Sequence, residues 1–243
     1  MFRFLFLDLD DTLLDFHKAE AIAVDKAFRA VGVQPTPELI ARYSAVNKLH
    51  WQMLERGELT REEVLVERFA YLFREQGIPA DPAACKAYYE DYLCLGHFFM
   101  PGAEDILAYL APRYRLYLAS NGTARVQESR LKSAGIGGYF EQVFISQHLG
   151  ANKPSRAFFQ RCFARIPDFQ PEQALMVGDS LTSDIQGGVN AGLDTCWFNP
   201  GHAENPGKVS PTYEIASLEE LDPLVMEPEE LANLGLKHRR HQL

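Results

Sequence analysis

The sequence predicts an α/β fold: a Rossmann-like parallel-sheet core, interrupted near its start by an inserted all-helical cap domain. Three observations lead there. The run FRFLFLDLDDTLL carries Phe4, Leu5, Phe6 and Leu7 without polar alternation, as a strand covered on both faces does. From Gly102 onward helical patterns and short apolar strands alternate, which is the rhythm of βαβ units. Between Phe16 and about His97, helix follows helix.

The elements follow in order. The first strand is expected over Arg3 to Leu9, and four helices make up the insert. In TPELIARYSAVNKLHWQMLERG, Thr36 stands at the N-cap and Pro37 at the first helical position, with Leu39, Tyr43, Val46 and Met53 along one face. His50 lies on the same stripe and reads as a buried histidine. TREEVLVERFAYLFREQG opens on the capping pair Thr60 and Glu63, aligns Leu65, Phe69 and Leu72, and ends at Gly77. DPAACKAYYEDYLCLG follows and ends at Gly96. Beyond linkers near Leu14 to His17 and Gly96 to Gly102 come helix GAEDILAYLAP, strand YRLYLAS, helix ARVQESRLKSAG, strand QVFIS and helix SRAFFQRCFARI. Strand ALMVG, helix SDIQGGVNAG and strand DTCWFN complete the series. The expected domains are residues 1–15 and 99–226 for the core, 16–98 for the cap, and 227–243 for a C-terminal tail. That tail holds the one basic cluster, Lys237 to Gln242, which reads as solvated.

With 243 residues, 47% of them hydrophobic, the chain can bury a sizeable core. A net charge of -9 argues against nucleic acid as a partner, because no distributed positive charge is available to neutralise phosphates. The four cysteines show no C-x-x-C pairing, so buried thiols and a reducing compartment are expected. The apolar stretch at the start is too short to span a membrane and runs straight into charge. A cytoplasmic location without a membrane partner is the expectation.

Ligands of open parallel sheets bind beyond the carboxyl ends of the strands, and that is where the polar residues fall. The first strand ends at Asp8 and Asp10, the second at Ser120 and Asn121, and the fourth at Gly178 and Asp179, while Lys153 follows the third. On an extended chain Asp8 and Asp10, two apart, share a side. Carboxylates crowded at the rim of a core repel one another unless a cation compensates. Oxygen ligands from Asp8, Asp179 and a backbone carbonyl suit Mg²⁺. Lys153 and the Ser120 hydroxyl, with neighbouring amides, suit a phosphate. The set describes phosphoryl transfer to a carboxylate nucleophile. The aspartates of GDSLTSD also suit capping of the helix they precede.

DLDDT, ASNG, NKPS and GDSLTSD resemble, in order and interval, the four motifs of the haloacid dehalogenase superfamily, and the helical insert resembles its commonest cap. The resemblance covers Phe2 to about Asn199. It implies that Asp8 is the nucleophile, forming an aspartyl phosphate, and that Asp10 is the acid and base. It further implies phosphate binding by Ser120, Asn121 and Lys153, Mg²⁺ binding by Asp8, Asp10 and Asp179, and an orienting role for Asp184 behind Asp179. Thr12, at the family's threonine position, is expected to fasten the loop after the strand.

AVNKLHW, GGVNAGLDTCWFNP and PTYEIASLEEL are similar to a group of pyrimidine 5'-nucleotidases, which implies a small phosphorylated metabolite, a nucleoside monophosphate, as substrate. Asp11 beside the acid and Leu49-His50 within the cap motif depart from that pattern. Candidate substrate contacts from the cap are Phe16, Asn47 and Trp51, with Phe16 better suited to a hinge or packing role. The alternatives are a 2-haloacid dehalogenase, which needs neither Mg²⁺ nor Asp10, a sugar phosphomutase of the same superfamily, and an idle binding module. The presence of both Asp8 and Asp10 weighs against the last. Oligomeric state is not legible.

Overall fold

The computed structural model describes residues 2–207 and 209–225; the expected tail, with its basic cluster, lies outside them. Strands β1 (Phe4–Leu7), β2 (Arg115–Ser120), β3 (Gln142–Ile145), β4 (Ala174–Gly178), β5 (Asp194–Phe198) and β6 (Tyr213–Ile215) form a sheet ordered β3-β2-β1-β4-β5-β6. Every neighbouring pair is parallel. The helices are α1 (Phe16–Ala30), α2 (Pro37–Glu55), α3 (Arg61–Gln76), α4 (Pro82–Leu93), α5 (Ala103–Leu110), α6 (Ala124–Ala134), α7 (Ser146–Leu149), α8 (Arg156–Phe163), α9 (Gln186–Ala191) and α10 (Leu221–Val225). None of them is long and apolar enough to cross a membrane.

Contacts divide the described chain into two compact units, residues 2–14, 99–124 and 135–225 in one and residues 15–98 and 125–134 in the other. In the first, β1 is buried along its whole length, with a partner strand on each side. Phe4 and Phe6 pack with Tyr117, Ala119, Phe144 and Met176 and with Phe158, Phe159 and Cys162 of α8. The strand order reverses between β1 and β4, so the chain leaves the sheet in opposite directions there and opens a crevice at the carboxyl ends.

The second unit is helical. Its starts follow local chemistry: Lys18 N donates to Asp15 Oδ1 at 2.8 Å, Leu39 N to Thr36 Oγ1 at 3.2 Å, and Ala83 N to Asp81 Oδ1 at 2.9 Å. Thr60 and Glu63 close a reciprocal capping box, and Gly77 ends α3 at φ 63°. Phe28, Tyr43, Phe69 and Tyr89 form its aromatic centre. A polar chain runs through that centre: Arg68 Nη1 donates to Asn47 Oδ1 at 2.7 Å, Asn47 Nδ2 to Glu20 Oε1 at 2.6 Å, and Ser44 Oγ to Glu20 Oε2 at 2.6 Å.

Four features differ from the sequence-based expectation. Residues 125–134 of α6, read as core from their place in the alternation, group with the helical unit. Val126 joins that unit's apolar cluster, Arg125 pairs with Asp91, and the fully buried Arg130 donates to the Gly96 carbonyl at 2.7 Å. The first strand stops at Leu7 because the chain turns: Leu13 N and Leu14 N both donate to Leu9 O, and Asp11 has φ 57°. β6 was not expected, since three residues carry too little alternation to signal a strand. The helix after β4 opens with a wide π turn over Leu181–Ile185 before α9 begins. All four cysteines are free and buried.

Candidate active site

Asp8 emerges at the end of β1, its N–H still bonded to Val177 O of β4 at 3.0 Å. The turn that follows carries Asp10, bridged to Leu14, and delivers Thr12, whose Oγ1 accepts from Asp179 N at 3.1 Å. Thr12 thereby ties the loop after β1 to the loop after β4, the fastening role expected of it. On the far side of Asp179 its carbonyl accepts from Trp197 Nε1 at 2.8 Å.

Lys153 reaches this rim from the loop after α7 and is 1% exposed. Its ammonium donates to Asp8 Oδ1 at 2.6 Å, Asp184 Oδ1 at 2.6 Å and Ala119 O at 2.5 Å, which uses all three of its hydrogens. Asn121 holds the Lys153 backbone from both sides: its Nδ2 donates to Lys153 O and its Oδ1 accepts from Lys153 N, each at 2.9 Å. Ser120, buried at the end of β2, accepts from Gly122 N at 3.1 Å. Asp184 also accepts from Ser180 N at 3.1 Å. Gly178 makes that approach feasible, since a Cβ there would lie 2.2 Å from Asp184 Oδ2.

Asp8, Asp179 and Asp184 each present a carboxylate oxygen within 4.8 Å of the other two. Three carboxylates against the single ammonium of Lys153 leave two surplus negative charges in a buried space. The titration behaviour reflects this. Burial pushes the Asp8 carboxyl up to about 8, reinforced by Asp184 and Asp10 and opposed by Lys153. Asp179 is pushed well above the carboxylate range by burial, then by Asp184, Asp8 and Asp11. Burial works against the charge of Lys153, yet Asp184 and Asp8 hold its pKa above the ordinary lysine value. An oxygen-only donor set with surplus negative charge fits a hard divalent cation of the Mg²⁺ type, which would reverse both carboxylate shifts.

The structure therefore brings together Asp8, Lys153, Asp179 and Asp184, with Ser120 and Asn121 alongside. The clustered carboxylates differ in one member from the expected ligand set of Asp8, Asp10 and Asp179. Asp184, expected behind Asp179, offers an oxygen directly, whereas Asp10 stands outside the trio, in the turn that ends the strand-like alternation. The Asn121 amide, expected on phosphate, is engaged with the backbone of Lys153. Of the three residues proposed from the cap, Phe16 starts α1 and packs on the helical unit's core, with the Arg130 guanidinium 5.9 Å from its ring centre. Asn47 is the buried link between Arg68 and Glu20, and Trp51 lies under the Arg61 guanidinium at 5.6 Å. Sequence reasoning missed the Trp197 contact, which depends on the β4–β5 register that pairs Gly178 with Trp197.

A family model for haloacid dehalogenase-like hydrolases matches residues 2–192. The chain belongs to this family. As a haloacid dehalogenase-like hydrolase it is 41% identical over 221 residues to pyrimidine 5'-nucleotidase PynA of Streptococcus pneumoniae, covering 90% of this chain and 93% of that protein. It is 30% identical over 221 residues to pyrimidine 5'-nucleotidase YjjG of Escherichia coli, covering 91% and 96%. Among solved structures it is similar to the HAD-hydrolase YfnB from Bacillus subtilis bound to magnesium, with a TM-score of 0.88, 40% identity, and coverage of 93% of this chain and 99% of that one. The α/β core with a parallel sheet is thus that of a hydrolase family.

Proposed function

We propose that the protein is a Mg²⁺-dependent phosphomonoester hydrolase that works through an aspartyl phosphate on Asp8 and acts on nucleoside monophosphates, pyrimidine nucleotides foremost. The observation that carries the reading is the group of Asp8, Asp179 and Asp184, the first and last buried and Asp179 half-buried, around Lys153 at the carboxyl ends of the strands. The substrate class is supported by the likeness to two pyrimidine 5'-nucleotidases along nearly their whole lengths. A magnesium-bound relative supports the choice of ion.

In this reading Asp8, Asp179 and Asp184 would hold Mg²⁺, whose charge would offset theirs and would supply Lewis-acid polarisation of a phosphoryl oxygen. Lys153 fixes Asp8 through Oδ1 and keeps the nucleophile aimed along one direction. An oxygen of Asp8 attacks phosphorus, the ester P–O bond breaks, and Asp10 gives its proton to the leaving alkoxide. Asp10 then takes a proton from water, the water oxygen attacks phosphorus, and inorganic phosphate leaves as the Asp8 carboxylate is restored. Lys153 and the amides after Ser120 stabilise the charge that spreads over the phosphoryl oxygens. A dehalogenase gains nothing from a trio of clustered carboxylates, which weighs against that alternative.

Phosphate release from a panel of nucleoside monophosphates and sugar phosphates, with and without Mg²⁺, tests the reading. Release from pyrimidine monophosphates that stops on chelation and returns with Mg²⁺ is expected. Interconversion of sugar phosphates without release would favour a mutase, and full activity in chelator would overturn the metal-dependent mechanism.

A further inference from the structure

We propose that Trp197 is a positioning residue for Asp179, holding that carboxylate in the cation cluster by gripping its backbone. The inference rests on the reading of Asp179 as a Mg²⁺ ligand and goes beyond it. Asp179 follows the last residue of β4 and has left the ladder, so sheet hydrogen bonds no longer fix its peptide. Two contacts take their place. Its N–H donates to Thr12 Oγ1 at 3.1 Å, and its carbonyl accepts from Trp197 Nε1 at 2.8 Å. Both partners are buried, Thr12 completely and Trp197 to all but 4%.

The grip matters because of what the side chain experiences. Carboxylate oxygens of Asp184 and Asp8 lie within 4.8 Å of one on Asp179 and repel it when it is ionised, so an unrestrained backbone would let it swing away from them. Among the described residues no hydrogen bond reaches that carboxylate, and its placement depends on the peptide that carries it. A buried indole N–H has one donor and needs one acceptor, and the β4–β5 register leaves Trp197 beside Gly178, within reach of the next carbonyl. Phenylalanine would fill the same space without the donor. Groups that orient a ligand in this way commonly set metal affinity as strongly as they set packing.

Calorimetric titration of the metal-free protein with Mg²⁺ tests the proposal, comparing the wild type with Trp197→Phe and Thr12→Val. Trp197→Phe is expected to bind Mg²⁺ about tenfold more weakly. Half-maximal activation should move to higher Mg²⁺ by the same factor, with turnover at saturating Mg²⁺ within about twofold and the metal-free melting temperature nearly unchanged. A role in packing alone would lower the melting temperature and leave Mg²⁺ affinity at the wild-type value, which would overturn the proposal. Should Trp197→Phe not fold, Thr12→Val makes the same test from the other side of the peptide. Wild type that binds Mg²⁺ beside variants that bind it equally well refutes the positioning role alone. Wild type that does not bind Mg²⁺ overturns the cation reading and this inference together.

Discussion

Lys153 makes three charge-assisted or carbonyl hydrogen bonds and stands between Asp8 and Asp184, so it sets where the nucleophile's first oxygen can go. Its own place is set one step further back, by the Asn121 amide on its backbone. Roles at this scale separate cleanly by substitution. Asp8→Asn is expected to abolish phosphate release, since an amide oxygen is a poor nucleophile and forms no acyl phosphate. Asp10→Asn should slow release by about 10²–10⁴, the range for a lost acid and base. Substantial turnover in Asp8→Asn, or an unchanged rate in Asp10→Asn, assayed by phosphate release, would contradict these assignments.

Among the elements, the helical unit shows how a buried polar chain can tie several helices together. Glu20 on α1, Ser44 and Asn47 on α2, and Arg68 on α3 are linked end to end, with the Asn47 amide between the two charges. Burial raises the Glu20 pKa, and its hydrogen bond from Ser44, the Arg68 charge and the Asn47 bond oppose the rise. Asn47→Ala should cost about 2–4 kcal/mol in chemical denaturation, because it leaves two buried charged groups each short of a partner. A loss under about 1 kcal/mol would show that the two charges find other partners. The same element scale explains α6: its Val126 joins the helical unit's apolar cluster and its buried Arg130 donates to the Gly96 carbonyl, and periodicity along one helix does not say which neighbour will accept its face.

For the whole molecule, the carboxylate group couples stability to pH and to cation. The folded-state pKa of Asp8 is about 8 against 3.8 for an unperturbed aspartate, so between these values the folded chain binds the extra proton. Stability from this group is therefore present at low pH and lost as pH rises through about 8. The metal-free protein should melt at progressively lower temperature over that interval, and the rise in melting temperature on adding Mg²⁺ should be larger near pH 8 than near pH 5. Scanning calorimetry at the two pH values checks it. An equal Mg²⁺ effect at both would mean that the cluster does not hold the ion.

Much of this molecule was readable along the chain. Phe4 to Leu7 announce a central strand because an uninterrupted apolar run has few other places to go, and Thr60 with Glu63 announce a helix start because the bonds involved are local. Asp8, Ser120, Lys153 and Asp179 were found because strand ends in an open parallel sheet face one rim. The remainder was decided in three dimensions. That Asp184 enters the cluster, that Asn121 serves Lys153, that Trp197 serves Asp179 and that α6 groups with the helical unit all depend on which residues lie opposite one another across strands or between helices. Thr12 and Asp179, joined in the same way, are 167 positions apart in sequence. No local pattern encodes such pairings, because register and packing are fixed by the fit of whole surfaces and not by neighbours along the chain.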